Sequence, residues 1–252
     1  MRLIVSAAAV AVLAFAAGSA TAQSAIPAYA AAAVADAGRP QPDKDRDVHR
    51  KPAEMLVFGE IKPGARVGEL IPGRGYFTRI FSKAVGPAGK LYVVQAPGRP
   101  PAEGAPPPPP VAVETIAADP GFSNVTVLRQ PYGSWKAAEP LDVVWTSQNY
   151  HDMRSTAEAM LPINKAVFDN LKPGGIYIVL DHQAPAGSTD RSLHRIDPAL
   201  VKADVLAAGF EFVGESNVLQ NPKDTLTTMV MDSSIRGDTT QFIYKFRKPG
   251  PK

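Results

Sequence analysis

The chain has 252 residues, 45% of them hydrophobic, and its formal net charge is +3 at pH 7. A chain of this length can bury a core of its own, whereas a nucleic-acid-binding protein would need basic residues clustered on one face. The sequence contains no cysteine, which excludes disulfide bonds, thiolate catalysis and cysteine-bound metals. We therefore expect a protein with no nucleic-acid partner, stabilised by a packed core.

Residues 1–22 have the layout of a secretory signal peptide. Arg2 supplies a positive charge, residues 3–17 are uniformly apolar or small, and Ala20-Thr21-Ala22 is a small-x-small cleavage pattern. The apolar run is shorter than the about 20 residues of a transmembrane helix. We expect cleavage after Ala22, export to the periplasm or beyond, and no stable membrane insertion; the alternatives are an uncleaved anchor or a cytosolic helix.

The next segment, residues 23–45, is rich in Ala and Pro and ends in alternating charges, which predicts a flexible leader. The folded domain is predicted to span residues 46–249. Its helices are predicted at 52–59, 75–85, 157–171 and 198–208, and its strands at 66–70, 90–96, 125–128, 141–146, 176–180, 210–213 and 241–247. Strands that are apolar on both faces and alternate with helices are typical of a doubly wound α/β parallel sheet.

Two segments interrupt this alternation. Residues 97–110 carry eight prolines and predict a surface loop with polyproline character, at a place where a helix usually follows the second strand. Residues 217–240 form a connection long enough to suggest a functional lid or an extra element.

The turn over residues 67–76 is the sharpest local signal. Gly73 and Gly75 lie between a strand and a helix, so they allow positive φ angles and a close approach of a ligand to the backbone. The helix N-terminus beside them suits a carboxylate or phosphate. Because two glycines are equally common in a plain tight turn, these residues alone leave a nucleotide-type site and a structural turn as alternatives.

The order Glu69-x-x-Pro72-Gly73-x-Gly75-Tyr76 resembles motif I of the class I S-adenosylmethionine-dependent methyltransferases. The chain is more specifically similar to a family of exported predicted methyltransferases, and the likeness runs from about residue 46 to 249. Its further pieces are Arg50-Lys51-Pro52, Val85-Gly86-Pro87-x-Gly89-Lys90, Asn149-Tyr150-His151-Asp152, Leu171-Lys172-Pro173-Gly174-Gly175 and the stretch from Phe242 to Pro249.

The resemblance implies a Rossmann-like, mostly parallel sheet of seven strands whose last strand is antiparallel. It also implies that S-adenosylmethionine binds across the carboxyl ends of the first strands, as ligands do in open α/β sheets. The cofactor-binding residues transferred from the family pattern are Glu69, Pro72, Gly73, Gly75, Tyr76 and Gln95.

Two positions depart from the family pattern. Ile71-Pro72 replaces the first glycine of the motif, and Gln95 stands where an acidic residue usually holds the ribose hydroxyls. A glutamine accepts a hydrogen bond but brings no charge, so the departures predict weakened binding of the cofactor.

A polar cluster, Asn149-Tyr150-His151-Asp152, follows the predicted strand at 141–146. The resemblance places such residues opposite the donated methyl group. His151 can act as a base, while Asn149 and Tyr150 can hold an acceptor by hydrogen bonds. We assign all four residues to catalysis; the alternative is a strand-end turn in which Asp152 caps the next helix.

A third set of polar residues comprises Asp181, His182, His194 and Arg195. If the strand order holds, His182 lies next to His151, and the two histidines with Asp152 or Asp181 can bind a divalent metal. Histidines in a surface loop are the commoner arrangement, and we predict no metal. The leading hypothesis is methyl transfer from S-adenosylmethionine to an unidentified small-molecule acceptor; the alternative is a non-catalytic small-ligand-binding module on the same fold.

Overall fold

The structure is a computed structural model that describes residues 25–98 and 109–250. Its strands are β1 (Arg66–Leu70), β2 (Lys90–Val94), β3 (Val125–Leu128), β4 (Leu141–Ser147), β5 (Leu171–His182), β6 (Glu211–Ser216) and β7 (Gln241–Arg247). They form one sheet in the order β3-β2-β1-β4-β5-β7-β6. The paired strands from β3 to β5 are parallel, and β7 runs antiparallel to both β5 and β6. The predicted doubly wound, mostly parallel seven-stranded sheet with an antiparallel last strand is thus confirmed.

Helices cover both faces of the sheet. They are α1 (Ala28–Val34), α2 (Gln41–Lys44), α3 (Asp47–Arg50), α4 (Pro52–Phe58), α5 (Tyr76–Val85), α6 (Ala112–Ala118), α7 (Tyr150–Met153), α8 (Ala157–Asn170) and α9 (Pro198–Ala207), with a 3-10 turn at Pro120–Phe122. Alternate side chains of β4 enter opposite cores: Val143 and Trp145 pack on one face, and Val144 on the other. Burial on both faces explains why these strands are almost wholly apolar. None of the helices in the described ranges is long and apolar enough to cross a membrane.

The segment before the predicted domain is folded where the structure describes it. Ala30 and Ala33 of α1 are buried, and their small side chains bring α1 into contact with α5. Arg39 is also buried and forms an ion pair with Asp47. The flexible leader predicted for residues 23–45 is therefore wrong over residues 25–45, because a stripe of alanines supplies an apolar helix face. The predicted signal peptide lies outside the described residues.

A helix does follow β2, contrary to the prediction. The polyproline prediction for residues 97–110 falls mostly outside the described residues, but α6 begins just after the prolines. Val113 and Ile116 of α6 are buried, and the Glu114 carboxylate accepts a hydrogen bond of 3.0 Å from the Val111 amide at the start of the helix. The prolines therefore precede the helix rather than replace it.

The long connection over residues 217–240, all of which the structure describes, contains no helix or strand. A buried ion pair ties it to the rest of the fold: Arg195 Nη1 lies 2.9 Å from Asp224 Oδ2. The same carboxylate oxygen accepts a hydrogen bond from the Thr240 amide. The connection is thus an extra element whose main buried tie to the rest of the fold is this charge pair.

Candidate functional site

A cavity of about 180 Å³ lies at the carboxyl ends of β1 and β4. Five of the predicted site residues line it: Glu69, Pro72, Gly73, Tyr76 and Asn149. The other lining residues are Arg46, Arg50, Leu70, Ile71, Arg74, Phe77, Trp145, Ser147 and Gln148. Adjacent parallel strands end at the same edge of a sheet, which is why segments almost 80 residues apart along the chain share one cavity.

The turn between β1 and α5 is strained at its first residue. Ile71 has a φ of 50°, a left-handed conformation that is unusual for a β-branched side chain. Its amide donates a hydrogen bond of 3.1 Å to the Val94 carbonyl, and its own carbonyl accepts one of 3.0 Å from Asn149 Nδ2. Ile71 therefore adopts the backbone shape that a glycine would take freely, at a cost of about 1–3 kcal/mol.

The two glycines of the turn serve different purposes. Gly73 has a φ of 57°, and a Cβ atom added there would meet no atom within 4 Å. Gly75 has a φ of 81°, and a Cβ atom there would collide with Cδ1 of Ile116 in α6. Gly73 thus borders open space in the cavity. Gly75 does not line the cavity, which corrects its predicted contact with a cofactor: its missing side chain makes room for α6.

Glu69 is the buried acid of the cavity, with 3% of its surface exposed. Thr78 Oγ1 donates a hydrogen bond of 2.6 Å to Glu69 Oε2. Burial raises the pKa of Glu69 to about 7, although the Thr78 hydrogen bond and the charge of Arg50 act in the opposite direction. A carboxyl group that titrates near neutrality in a cavity is typical of a ligand or catalytic site.

Arg50 is the cation of the cavity. Its Cζ atom lies 4.4 Å from the centre of the Tyr76 ring, and its Nη2 atom donates hydrogen bonds to Ser147 Oγ at 3.0 Å and to Gln148 Oε1 at 3.1 Å. Burial lowers the pKa of Arg50 to about 10, so the side chain stays charged at neutral pH. No role was predicted for Arg50 from the sequence, although it lies in the Arg50-Lys51-Pro52 segment that resembles the family.

Tyr76 connects the cavity to the N-terminal helices. Its hydroxyl donates a hydrogen bond of 2.6 Å to Asp47 Oδ1 on α3. Burial and this hydrogen bond raise the pKa of Tyr76. Because Asp47 also pairs with Arg39, residues outside the family motif hold the wall of the cavity in place.

Trp145 and Gln95 both lie near the carboxyl edge of the sheet, but only Trp145 lines the cavity. Trp145 lines the cavity, and its buried Nε1 atom has no hydrogen-bond partner among the described residues. A buried donor without a partner costs free energy unless a ligand or water satisfies it. Gln95 follows β2, where its amide donates to the Leu128 carbonyl at 3.0 Å, and it does not line the cavity.

A second polar cluster lies at the carboxyl ends of β4 and β5. His151 is buried, and its Nδ1 atom lies 2.8 Å from Oδ1 of the fully buried Asp181. The His151 amide donates to the other oxygen of this carboxylate at 2.9 Å. Burial acts to lower the pKa of His151, but the hydrogen bond and charge of Asp181 outweigh it and raise that pKa.

Two further histidines, His182 and His194, lie beside His151. The His182 ring centre lies 6.1 Å from that of His151, which confirms the predicted neighbourhood, and burial lowers the pKa of His182 to about 4. The His194 ring centre lies 5.5 Å away. The exposed Asp152 places its Oδ1 atom 3.3 Å from His151 Nε2 and 3.4 Å from His194 Nδ1.

Tyr150 does not belong to this cluster. Its side chain is fully buried, and its hydroxyl accepts a hydrogen bond of 2.9 Å from Asn164 Nδ2. The predicted contact between Tyr150 and an acceptor is therefore wrong, since the helical turn of α7 directs this side chain into the core while the adjacent His151 faces Asp181. The side-chain Nδ2 atom of Asn149 donates hydrogen bonds to the main-chain carbonyls of Ile71 and Ser147. Asn149 therefore ties two loops together at the cavity.

The fold is shared with several solved structures. An S-adenosylmethionine-dependent methyltransferase from Aquifex aeolicus is 16% identical with a TM-score of 0.57, covering 82% of this chain and 95% of that chain. The [4+2]-cyclase SpnF is 17% identical with a TM-score of 0.56, and the match covers 83% of this chain and 81% of the cyclase. A possible exported protein from Bordetella parapertussis is 15% identical with a TM-score of 0.53, and the match covers 82% of this chain and 68% of that protein.

The sequence matches no protein-family model and no curated protein. The structural likenesses therefore establish the Rossmann-like methyltransferase fold of this chain, and its chemistry has to be argued from its own site residues.

Proposed function

We propose that this protein binds S-adenosylmethionine in the cavity at the end of β1 and transfers its methyl group to a small-molecule acceptor. The observation that carries the proposal is Glu69, a buried carboxyl group with a pKa of about 7 beside an open left-handed turn. A cationic ligand would offset the cost of burying this charge. The methyltransferase fold of the neighbours supports the choice of ligand.

The residues of the cavity fit the amino-acid end of this cofactor. Glu69 would accept a hydrogen bond from the ammonium group, and Arg50 would pair with the carboxylate. The cavity of about 180 Å³ is smaller than the roughly 300–1,000 Å³ of whole small-molecule sites, so it suits this end alone. When bound, S-adenosylmethionine supplies an electrophilic methyl group.

The protein would contribute positioning and a base. Methyl transfer is an in-line displacement, for which the orientation of the acceptor matters most. Asp181 holds the Nδ1 side of His151, which leaves Nε2 to take a proton from an acceptor hydroxyl or amine. Asn149 would act indirectly by fixing the loop at Ile71.

The decisive experiment is calorimetric titration of the protein with S-adenosylmethionine and with its demethylated product. Gly73→Asn places a side chain in the open part of the cavity, and asparagine tolerates the left-handed backbone. We expect this variant to lose at least tenfold in affinity. Gly64→Asn is the matched control, since Gly64 has a φ of 81°, equally open surroundings and no place in the cavity. Equal affinities for the two variants would put the ligand elsewhere.

A second candidate function is a non-catalytic module that binds another small ligand. The specific observation in its favour is Arg50, whose positive charge lies in the same cavity and would repel a sulfonium cation. The cyclase among the structural neighbours gives the fold a precedent outside proteins named as methyltransferases. A wild-type protein that binds neither cofactor form at millimolar concentration would favour this candidate.

The proposed function includes export. It is supported by the signal-like residues 1–22 and by one neighbour whose name calls it a possible exported protein. Mass spectrometry of protein from its native host is expected to find the N-terminus at Gln23 or within a few residues of it. A chain that retains Met1 or Arg2 on most molecules would contradict export with cleavage.

A further inference from the structure

Three side chains beside the proposed acceptor site have the spacing of metal ligands. They are His151, Asp152 and His194, each of which offers one ligand atom within 4.8 Å of the other two. The Asp152 Oδ1 atom is 3.3 Å from His151 Nε2 and 3.4 Å from His194 Nδ1. Zinc binds nitrogen and oxygen ligands at about 2.0–2.2 Å, so the edges of a tetrahedral site are about 3.3 Å long. Both of these distances match this length.

The orientation of His151 also suits a metal. Its Nδ1 atom is engaged by Asp181, which is fully buried and further anchored by the amides of His151 and His182. With Nδ1–H donated to this carboxylate, Nε2 keeps a free lone pair and lies 3.3 Å from Asp152 Oδ1. Metal-binding histidines almost always make such a hydrogen bond through their other ring nitrogen.

The cluster is open on its outer side. His151 is 8% exposed, whereas the side chains of His194 and Asp152 are 38% and 61% exposed. Arg191 Nη2 donates to the Asp152 main-chain carbonyl at 3.2 Å, which leaves the Asp152 carboxylate for an ion and puts a positive charge nearby. Three protein ligands with a free fourth position are typical of catalytic rather than structural zinc sites.

We propose that His151, Asp152 and His194 bind one divalent first-row transition-metal ion of the Zn²⁺ type, with its open position available to water or an anionic oxygen ligand. This departs from the sequence-based prediction of no metal and replaces His182 by His194 as the second histidine. It goes beyond the proposed methyl transfer, because binding of the ion requires no cofactor. With the ion bound, His151 is a ligand, and the metal lowers the pKa of a coordinated hydroxyl in its place.

The test uses full-length protein that carries no affinity tag and has been treated with a chelator. We expect calorimetry with Zn²⁺ to show one site per chain, and Co²⁺ to give the visible absorption of a tetrahedral complex. Asp152→Ala and His194→Ala change exposed side chains, so these variants should fold and lose at least tenfold in Zn²⁺ affinity. Asp181→Asn should lose about 10–100-fold, as for other residues that orient a ligand.

His49→Ala is the matched control. His49 lies elsewhere, in an ion pair with Asp238, and its loss should leave Zn²⁺ binding unchanged. The proposal is overturned if the wild type binds no Zn²⁺ at 1:1 stoichiometry, or if His194→Ala binds as tightly as the wild type. In either case the three side chains form only an ion-paired cluster. Because these titrations contain no S-adenosylmethionine, their outcome is separate from that of the cofactor-binding experiment that tests the proposed function.

Discussion

Glu69 and Asp181 are both buried carboxylates near the carboxyl ends of parallel strands, but their surroundings differ. Asp181 accepts three hydrogen bonds, from the amides of His151 and His182 and from the His151 ring. Glu69 accepts one side-chain hydrogen bond, from Thr78, and burial raises its pKa to about 7. Both carboxylates are thus buried, but hydrogen bonds stabilise the ionised form of Asp181 far more than that of Glu69.

The difference indicates two kinds of site. Asp181 is satisfied within the protein, so it can hold His151 in one orientation before any ligand arrives. Glu69 is incompletely satisfied, and a cationic ligand would complete its interactions. A buried polar group without enough partners is costly, and proteins retain such groups mainly where a ligand supplies the missing contact.

The largest expected effect comes from removing the satisfied acid. Asp181→Ala leaves two amides and the His151 ring without their acceptor, and we expect it to lower the free energy of unfolding by about 3–5 kcal/mol. Urea denaturation measures this change. Asp152→Ala, which changes an exposed neighbour, should alter stability by at most about 0.5 kcal/mol. A loss below about 1 kcal/mol for Asp181→Ala would show that the carboxylate does not organise this edge.

The next effect concerns the pH dependence of ligand binding at Glu69. If the ionised acid pairs with the ligand's ammonium group, affinity for S-adenosylmethionine should rise about tenfold from pH 6 to pH 8, as a group with a pKa near 7 becomes ionised. Calorimetry at several pH values measures this rise. Glu69→Gln should bind more weakly and show only the titration of the ligand itself. A wild-type profile that parallels the variant would remove Glu69 from the site.

The ionisation of Glu69 also makes the free energy of unfolding depend on pH, in a direction that can be predicted. The pKa of Glu69 is raised from its ordinary 4.5 to about 7 on folding, so the folded state holds the proton more tightly than the unfolded state. The contribution of this group to stability is therefore largest below pH 4.5 and is lost as the pH rises through 7. Ligand binding should reduce this loss.

The smallest expected effect comes from the strained turn beside Glu69. Glycine is ordinarily less stabilising than alanine because it has more freedom in the unfolded chain. At Ile71, with its φ of 50°, the order should reverse, and Ile71→Gly should be more stable than Ile71→Ala by about 1 kcal/mol. Chemical denaturation of both variants gives the comparison. If alanine is the more stable of the two, the left-handed conformation is not the source of strain.

Much of the fold could be predicted from the sequence because strand and helix signals are local. The apolar runs of β1, β4 and β7 and the helical spacing of α5 gave bounds within a residue or two of those observed. The Pro-Gly-x-Gly turn predicted a site at the end of β1, where the structure has a cavity. Even the neighbourhood of His151 and His182 could be predicted, since His151 lies just past β4 and His182 ends the adjacent parallel strand β5.

Other features depend on contacts between distant segments. The alanine stripe of α1 carries no sign of its partner, α5. The charge of Arg50 enters the cavity only because α3 packs on Tyr76. The pattern Asn149-Tyr150-His151-Asp152 cannot tell which side chain faces the core, because the geometry of one helical turn decides it.

The sequence alone therefore determined the α/β class and the edge of the sheet that carries the polar residues. Through the family resemblance it also indicated a mostly parallel sheet of seven strands with an antiparallel last strand. Only the tertiary structure decided that Glu69 is buried with one hydrogen bond, that Asp181 orients His151 and that His194 joins Asp152. The physical reason is that hydrophobic periodicity acts over a few residues, whereas burial, pKa and ligand spacing arise from groups brought together across the whole chain.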